Sequence, residues 1–120
     1  MTQKDLAEVL RSLALKGAYR QLKLATEPDL DGFKPSDDCH GNATKWVVPH
    51  PQHKIIDGFL VINDCVFDKH SVIDTGCPKL LDITPRNSNE SLNLLRFIEF
   101  DGGSRALFDA MPNQVIWRQG

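Results

Sequence analysis

Residues 55–84 run IIDGFLVINDCVFDKHSVIDTGCPKLLDIT, and the punctuation of this stretch decides what kind of protein the chain makes. Three apolar runs stand out: Ile55 to Ile62, Cys65 to Ile73 and Leu80 to Thr84. Their Val, Ile and Phe residues suit a pleated, half-buried surface, and turn residues bound each run. Asn63-Asp64 predicts a two-residue turn between the first pair, and Thr75-Gly76-Cys77 a three-residue loop between the second. An antiparallel meander follows.

Those turns imply a register. A turn at 63 and 64 opposes residues whose numbers total 127, which sets Asp57 against His70. A loop at 75–77 opposes residues totalling 152, which sets Asp82 against His70 from the other side. Opposed residues point the same way, so these three share a face with Phe59, Val61, Val66, Asp68, Val72, Leu80 and Thr84. Ile56, Leu60, Ile62, Cys65, Phe67, Ile73, Leu81 and Ile83 form the other face. It reads as the core face, interrupted by Lys69 and Ser71.

Upstream of the meander, Leu6, Val9, Leu10, Leu13 and Leu22 recur at helical spacing with Tyr19 between them, predicting one amphipathic helix from Asp5 to about Leu24 with Gly17 as a weak point. Thr26 to Asp38 (TEPDLDGFKPSDD) has no period and reads as a loop. A short helix is expected from Cys39, because Ser36, Asp37 and Asp38 are good caps before it and Pro49 and Pro51 stop it. Downstream, a strand at Leu94 to Phe100, a turn at Asp101-Gly102-Gly103, a short helix near Arg105 to Met111 and a strand at Val115 to Trp117 complete the pattern. The expected class is α+β: an antiparallel sheet of about five strands, with the Cys39 helix packed across it and the N-terminal helix outside.

With 120 residues, 41% hydrophobic and 25% charged, the chain is expected to form a single domain, 1–120, around one core. The formal charge of −2, from 14 Lys plus Arg against 16 Asp plus Glu with neither sign clustered, argues against nucleic acid or a membrane as partner. No run is long and apolar enough to span a bilayer, and Met1 to Glu8 lacks the apolar region of a signal peptide, so a soluble, cytoplasmic protein is expected. Cys39, Cys65 and Cys77 are odd in number and show no CxxC spacing, which fits reduced thiols.

One of those thiols stands where chemistry is possible. Attack on a carbonyl by sulfur needs a thiolate, a general base, and a group that fixes the tautomer of the base. Cys39, at a helix N-terminus, gains from unpaired N–H groups and the helix dipole. His70 on a strand supplies the base and Asp82, one strand over, accepts its N–H. Asp37 and Asp38 pull the other way, since carboxylates disfavour a nearby thiolate, and a protonated His70 has to outweigh them.

Cys39-His40-Gly41-Asn42-Ala43 resembles the nucleophile motif of the transglutaminase-like (papain-like) enzymes, a Cys on a helix followed four residues later by a small residue. His70-Ser71-Val72-Ile73 and Leu81-Asp82-Ile83-Thr84-Pro85 resemble that superfamily's strand His and its strand ending in Asp-x-Thr. The likeness covers residues 37 to 85. It implies Cys39 as nucleophile, His70 as base and Asp82 as orienter, acting on a peptide, protein or small amide as peptidase, amidase, glutamine deamidase or transglutaminase. No cofactor is called for.

Three further residues are candidates for substrate binding: Asn42, His40 and Asp57. Each has a plainer reading. Asn42 suits a helix surface, and Asp57 can make a bend with Gly58 while standing in reserve as orienter. His40 points about 100° from Cys39 on a helix, so it faces solvent or lines the cleft rather than serving as base. The competing functions are a non-catalytic binding module on the same fold and a zinc-binding structural domain. For zinc, Cys39, His40, His50, His53, Cys65, His70 and Cys77 are potential ligands, but only His50-x-x-His53 approaches metal-site spacing, with Pro51 between.

Overall fold

The computed structural model describes residues 2–24, 39–76, 80–83, 96–100 and 105–119, with the side chains of Lys23, Leu24, Cys39, His40 and Arg105 outside that description. Its elements follow in the order α1 (Gln3–Leu15), β1 (Arg20–Leu24), α2 (Cys39–Val47), β2 (Lys54–Asn63), β3 (Val66–Asp74), β4 (Leu80–Asp82), β5 (Arg96–Glu99), α3 (Arg105–Asp109) and β6 (Gln114–Ile116). The class is α+β. The predicted loop at 26–38, the turn at 101–103 and Cys77 lie outside the described residues.

Thr2 opens α1 with a reciprocal cap: its Oγ1 accepts from Asp5 N at 3.1 Å and its own N donates to Asp5 Oδ2 at 3.2 Å. Leu6, Ala7, Leu10 and Ala14 are buried, whereas Val9 of the predicted stripe is exposed. The helix stops nine residues short of the expected end. Gly17, at φ 72°, turns the chain, with its N bonded to Ala14 O at 3.1 Å and Ala18 N to Leu13 O at 2.9 Å. Beyond it Gln21-Leu22-Lys23-Leu24 alternates with period two, and Leu22 enters a strand.

That strand changes the sheet. β1 pairs with β4 in parallel and with β5 antiparallel, so the sheet is mixed rather than antiparallel. The order β2-β5-β1-β4-β3, with β3 returning to β2, closes five strands into a barrel-like ring, and β6 pairs antiparallel with the first residues of β3. A closed ring has two buried faces, which is why the expected division into a core face and a site face fails. Inside it pack Leu22, Leu60, Val72, Leu80 and Phe97. Outside it, α1, α3 and β6 cover Phe59, Val61, Phe67 and Ile98. Elsewhere on the outer wall Ala43 and Trp46 of α2 pack on Ile73 and Ile83, with Ile55 and Leu81 beside them.

The β2–β3 register differs from the expected one by a single residue. Asn63 Oδ1 accepts from Cys65 N at 2.8 Å, which centres the turn on Asp64 and Cys65 and pairs Asn63 with Val66. A bulge between Val61 and Asn63 then slips the ladder, so that Gly58, not Asp57, opposes His70. A one-residue slip turns every β2 side chain over. Phe59 and Val61 therefore join the outer face, and Ile56 and Leu60 the interior.

On β3 and β4 the pair Ile73–Leu81 implies that Asp82 opposes Val72, two residues from the expected His70. An even offset preserves the face. Lys69, which interrupted the predicted core face, has a structural partner: its Nζ donates to Met111 O at 3.0 Å, Phe108 O at 3.3 Å and Asp109 O at 3.4 Å, closing the end of α3.

Candidate functional site

His70 and Asp82 meet. Both follow the inward phase of their strands, His70 two residues from Val72 and Asp82 two from Leu80, so each points into the ring with those interior residues. His70 Nε2 lies 3.0 Å from Asp82 Oδ1, with the histidine 6% and the aspartate 1% exposed. A carboxylate oxygen accepts, so Nε2 carries the N–H and the nitrogen that takes up a proton is Nδ1. At this burial the bond is sheltered from water and gains from the low local dielectric. The contact is diagonal across the strands, within reach of an imidazole.

The dyad sits toward one rim of the ring. β1 and β4 both end at its level, where Leu24 pairs with Asp82. The next described element after β1 is α2, whose first residue is Cys39. Farther on, α2 leads into β2 at Lys54, which opposes Asp74 at the opposite end of β3 from Val66.

Cys39 thus begins a helix as predicted, but its side chain and that of His40 lie outside the description. The described side chains of α2 limit how the thiol can approach. Ala43 and Trp46 pack against Ile73 and Ile83, which point outward, while His70 and Asp82 point inward. Helix and dyad are therefore on opposite faces of β3 and β4, so any approach of an α2 side chain to the imidazole runs around the rim rather than across one face. Asn42 is half-buried in the first turn of α2.

Asp57 is not beside His70. It opposes Ser71 on the outer face and accepts from Ser71 Oγ at 2.7 Å, with the serine only 2% exposed. The expectation that two carboxylates flank the histidine gives way to one carboxylate on each side of the barrel wall. The cause is the register slip at Asn63.

The histidines considered for zinc do other work. Trp46 Nε1 donates to His53 Nδ1 at 3.1 Å, and His50 Nδ1 lies 2.8 Å from Trp46 O. The rings of Trp46 and His50 stack at 4.5 Å and those of His50 and His53 at 4.9 Å, tying the end of α2 to the start of β2. No group of three or more His, Cys, Asp or Glu placed to hold a metal occurs among the described residues. Cys65, expected on the core face, is a half-buried free thiol in the β2–β3 turn, where Arg11 Nη1 donates to its Sγ at 3.0 Å and the guanidinium lies 3.8 Å over Trp117.

Two residues to which the sequence assigned no site role lie beside this region. Gly58 is the cross-strand neighbour of His70, and the ring of Phe97 lies over it. A glycine inside an otherwise β-forming run was the available signal, since it marks a close approach of backbone or ring. Comparison with protein-family models, with curated proteins and with solved structures finds no match. No described helix is long and apolar enough to cross a membrane.

Proposed function

We propose that the chain is a thiol-dependent acyl-transfer enzyme acting on an amide, with Cys39 as nucleophile, His70 as general base and acid, and Asp82 as orienter, on a transglutaminase-like (papain-like) core. The observation that carries this reading is the buried His70 Nε2–Asp82 Oδ1 bond of 3.0 Å. A histidine held through Nε2 turns its other ring nitrogen, Nδ1, to the task of a general base, and this supports the reading because nucleophilic activation requires a base of fixed tautomer. A supporting consideration is reach. The seven steps from Cys39 to Trp46 span about 10 Å of helix, about the length of strand from Ile73 to His70.

In the reaction His70 Nδ1 takes the proton of Cys39 Sγ, and the thiolate adds to the amide carbonyl. The imidazolium, stabilised by Asp82, gives that proton to the departing amine as the C–N bond breaks, leaving a thioester. Water or a second amine then attacks the thioester, His70 accepts the proton of that nucleophile and returns it to the sulfur, and acid or new amide is released.

The test is thiol reactivity. At neutral pH iodoacetamide should alkylate Cys39 at least about tenfold faster than Cys65 or Cys77, and His70→Ala should remove the advantage. Hydrolysis or transamidation of glutamine-containing peptides should be lost in Cys39→Ser. Equal alkylation of the three thiols would overturn the reading, leaving a fold with a structural His–Asp pair.

A further inference from the structure

We propose that Phe97, seated over Gly58, is the positioning residue that holds the His70 imidazole against Asp82. The inference deepens the reading of this site and rests on it for its catalytic consequence, although the His70–Asp82 bond itself can be measured without any activity.

Directly opposed residues of an antiparallel pair hold their Cβ atoms about 5 Å apart, and His70 is opposed by Gly58, which has none. The place where that Cβ would stand is 2.5 Å from Phe97 Cζ and 2.9 Å from Phe97 Cε2. The edge of the Phe97 ring therefore occupies the space that a side chain opposite His70 would fill.

The same ring is fully buried and packs in one cluster with Val72 and Leu80. These are the inward neighbours, two residues away, of His70 and Asp82 respectively. Phe97 thus shares its cluster with a residue adjacent to the dyad on each of the two strands. A fully buried aromatic ring with two torsions and no hydrogen-bonding group is suited to this: it excludes water from the Nε2–H···Oδ1 bond and denies the imidazole an alternative rotamer. Gly58 is a condition of the arrangement, because any Cβ there would collide with the Ile98 carbonyl oxygen as well as the ring.

The experiment compares Phe97→Leu with Phe108→Leu in the full chain. Phe108 is 2% exposed in the outer cluster, so its variant reports loss of a buried ring on the other side of the barrel wall from the dyad. In the unmodified chain the His70 Nε2–H should give a downfield, slowly exchanging proton resonance. Phe97→Leu speeds its exchange with water about tenfold or more and lets the second imidazole tautomer appear, while Phe108→Leu does neither. The pH profile of Cys39 alkylation loses its dependence on His70 in Phe97→Leu only. Unchanged exchange in Phe97→Leu, or equal acceleration in both variants, overturns the proposal. A Cys39 no more reactive than Cys65 in the unmodified chain would sink the thiol reading instead, and the N–H exchange would still decide the role of Phe97.

Discussion

His70 and Ser71 are neighbours on one strand and each is hydrogen-bonded to an aspartate, yet the two pairs lie on opposite sides of the barrel wall. Inside, Asp82 is bonded to a titratable ring that can pass a proton. Outside, Asp57 is bonded to a hydroxyl that cannot usefully do so, and the pair satisfies two polar groups between the clusters centred on Ile73 and Phe67. The same residue type in similar geometry differs in role because of what it touches and which face it is on.

The comparison is broken most directly by removing each charge in turn. In Asp82→Asn the introduced amide can donate to Nε2, which favours the tautomer protonated on Nδ1 and removes the base. Thiol-dependent turnover should fall about 10²–10⁴-fold. Asp57→Asn should leave turnover within a few-fold. Comparable losses in kcat/KM from both would show that the outer pair also belongs to the site.

Next in size are the stability effects, which should run closer together. Ser71→Ala leaves a buried position without its hydroxyl and takes one donor from Asp57, at a cost of about 1 kcal/mol and a few degrees in Tm, with Cys39 alkylation unchanged. His70→Ala leaves the 1%-exposed Asp82 without this donor, at a cost of about 1–3 kcal/mol. Thermal melts of the two variants at neutral pH rank them. A larger loss in Ser71→Ala would mean that the outer pair is the more important to the fold.

How far these two pairs were visible in the sequence follows from parity. The strands other than β1 and the Cys39 helix were legible from their residue pattern, and the His70–Asp82 partnership because an error of two residues in the β3–β4 register leaves every side chain on its own face. The β2–β3 register was off by one, and that sufficed to move Asp57 through the wall. Its cause, the Asn63 side chain capping Cys65 N and a bulge beyond Val61, is a local choice that the dipeptide Asn63-Asp64 does not announce. β1 was hidden for another reason. Leu22 happens to continue the helical spacing of α1, and only Gly17, which offers a left-handed turn, marked the break. Ring closure could not be read at all, because it depends on β1 lying between β4 and β5.

A third aspartate sets the floor for the comparison. Asp5 is fully exposed and is held by Thr2 at the start of α1, whose backbone N and then side chain bond to it and lower its pKa from 3.8. A carboxyl lowered on folding contributes stability that is present above the unfolded value and is lost as pH falls through the folded one. Thr2→Ala should therefore lower Tm by less than about 5 °C at neutral pH, and the gap to the unmodified chain should narrow on titration below 3.8. Asp5→Asn should show the same narrowing, since both variants remove one reciprocal cap. A gap that stays constant as the carboxyl is protonated would assign the effect of Thr2 to its hydroxyl alone. Either result leaves turnover untouched, because α1 packs outside the barrel, on Phe59, Val61 and Phe67, and the dyad lies within it.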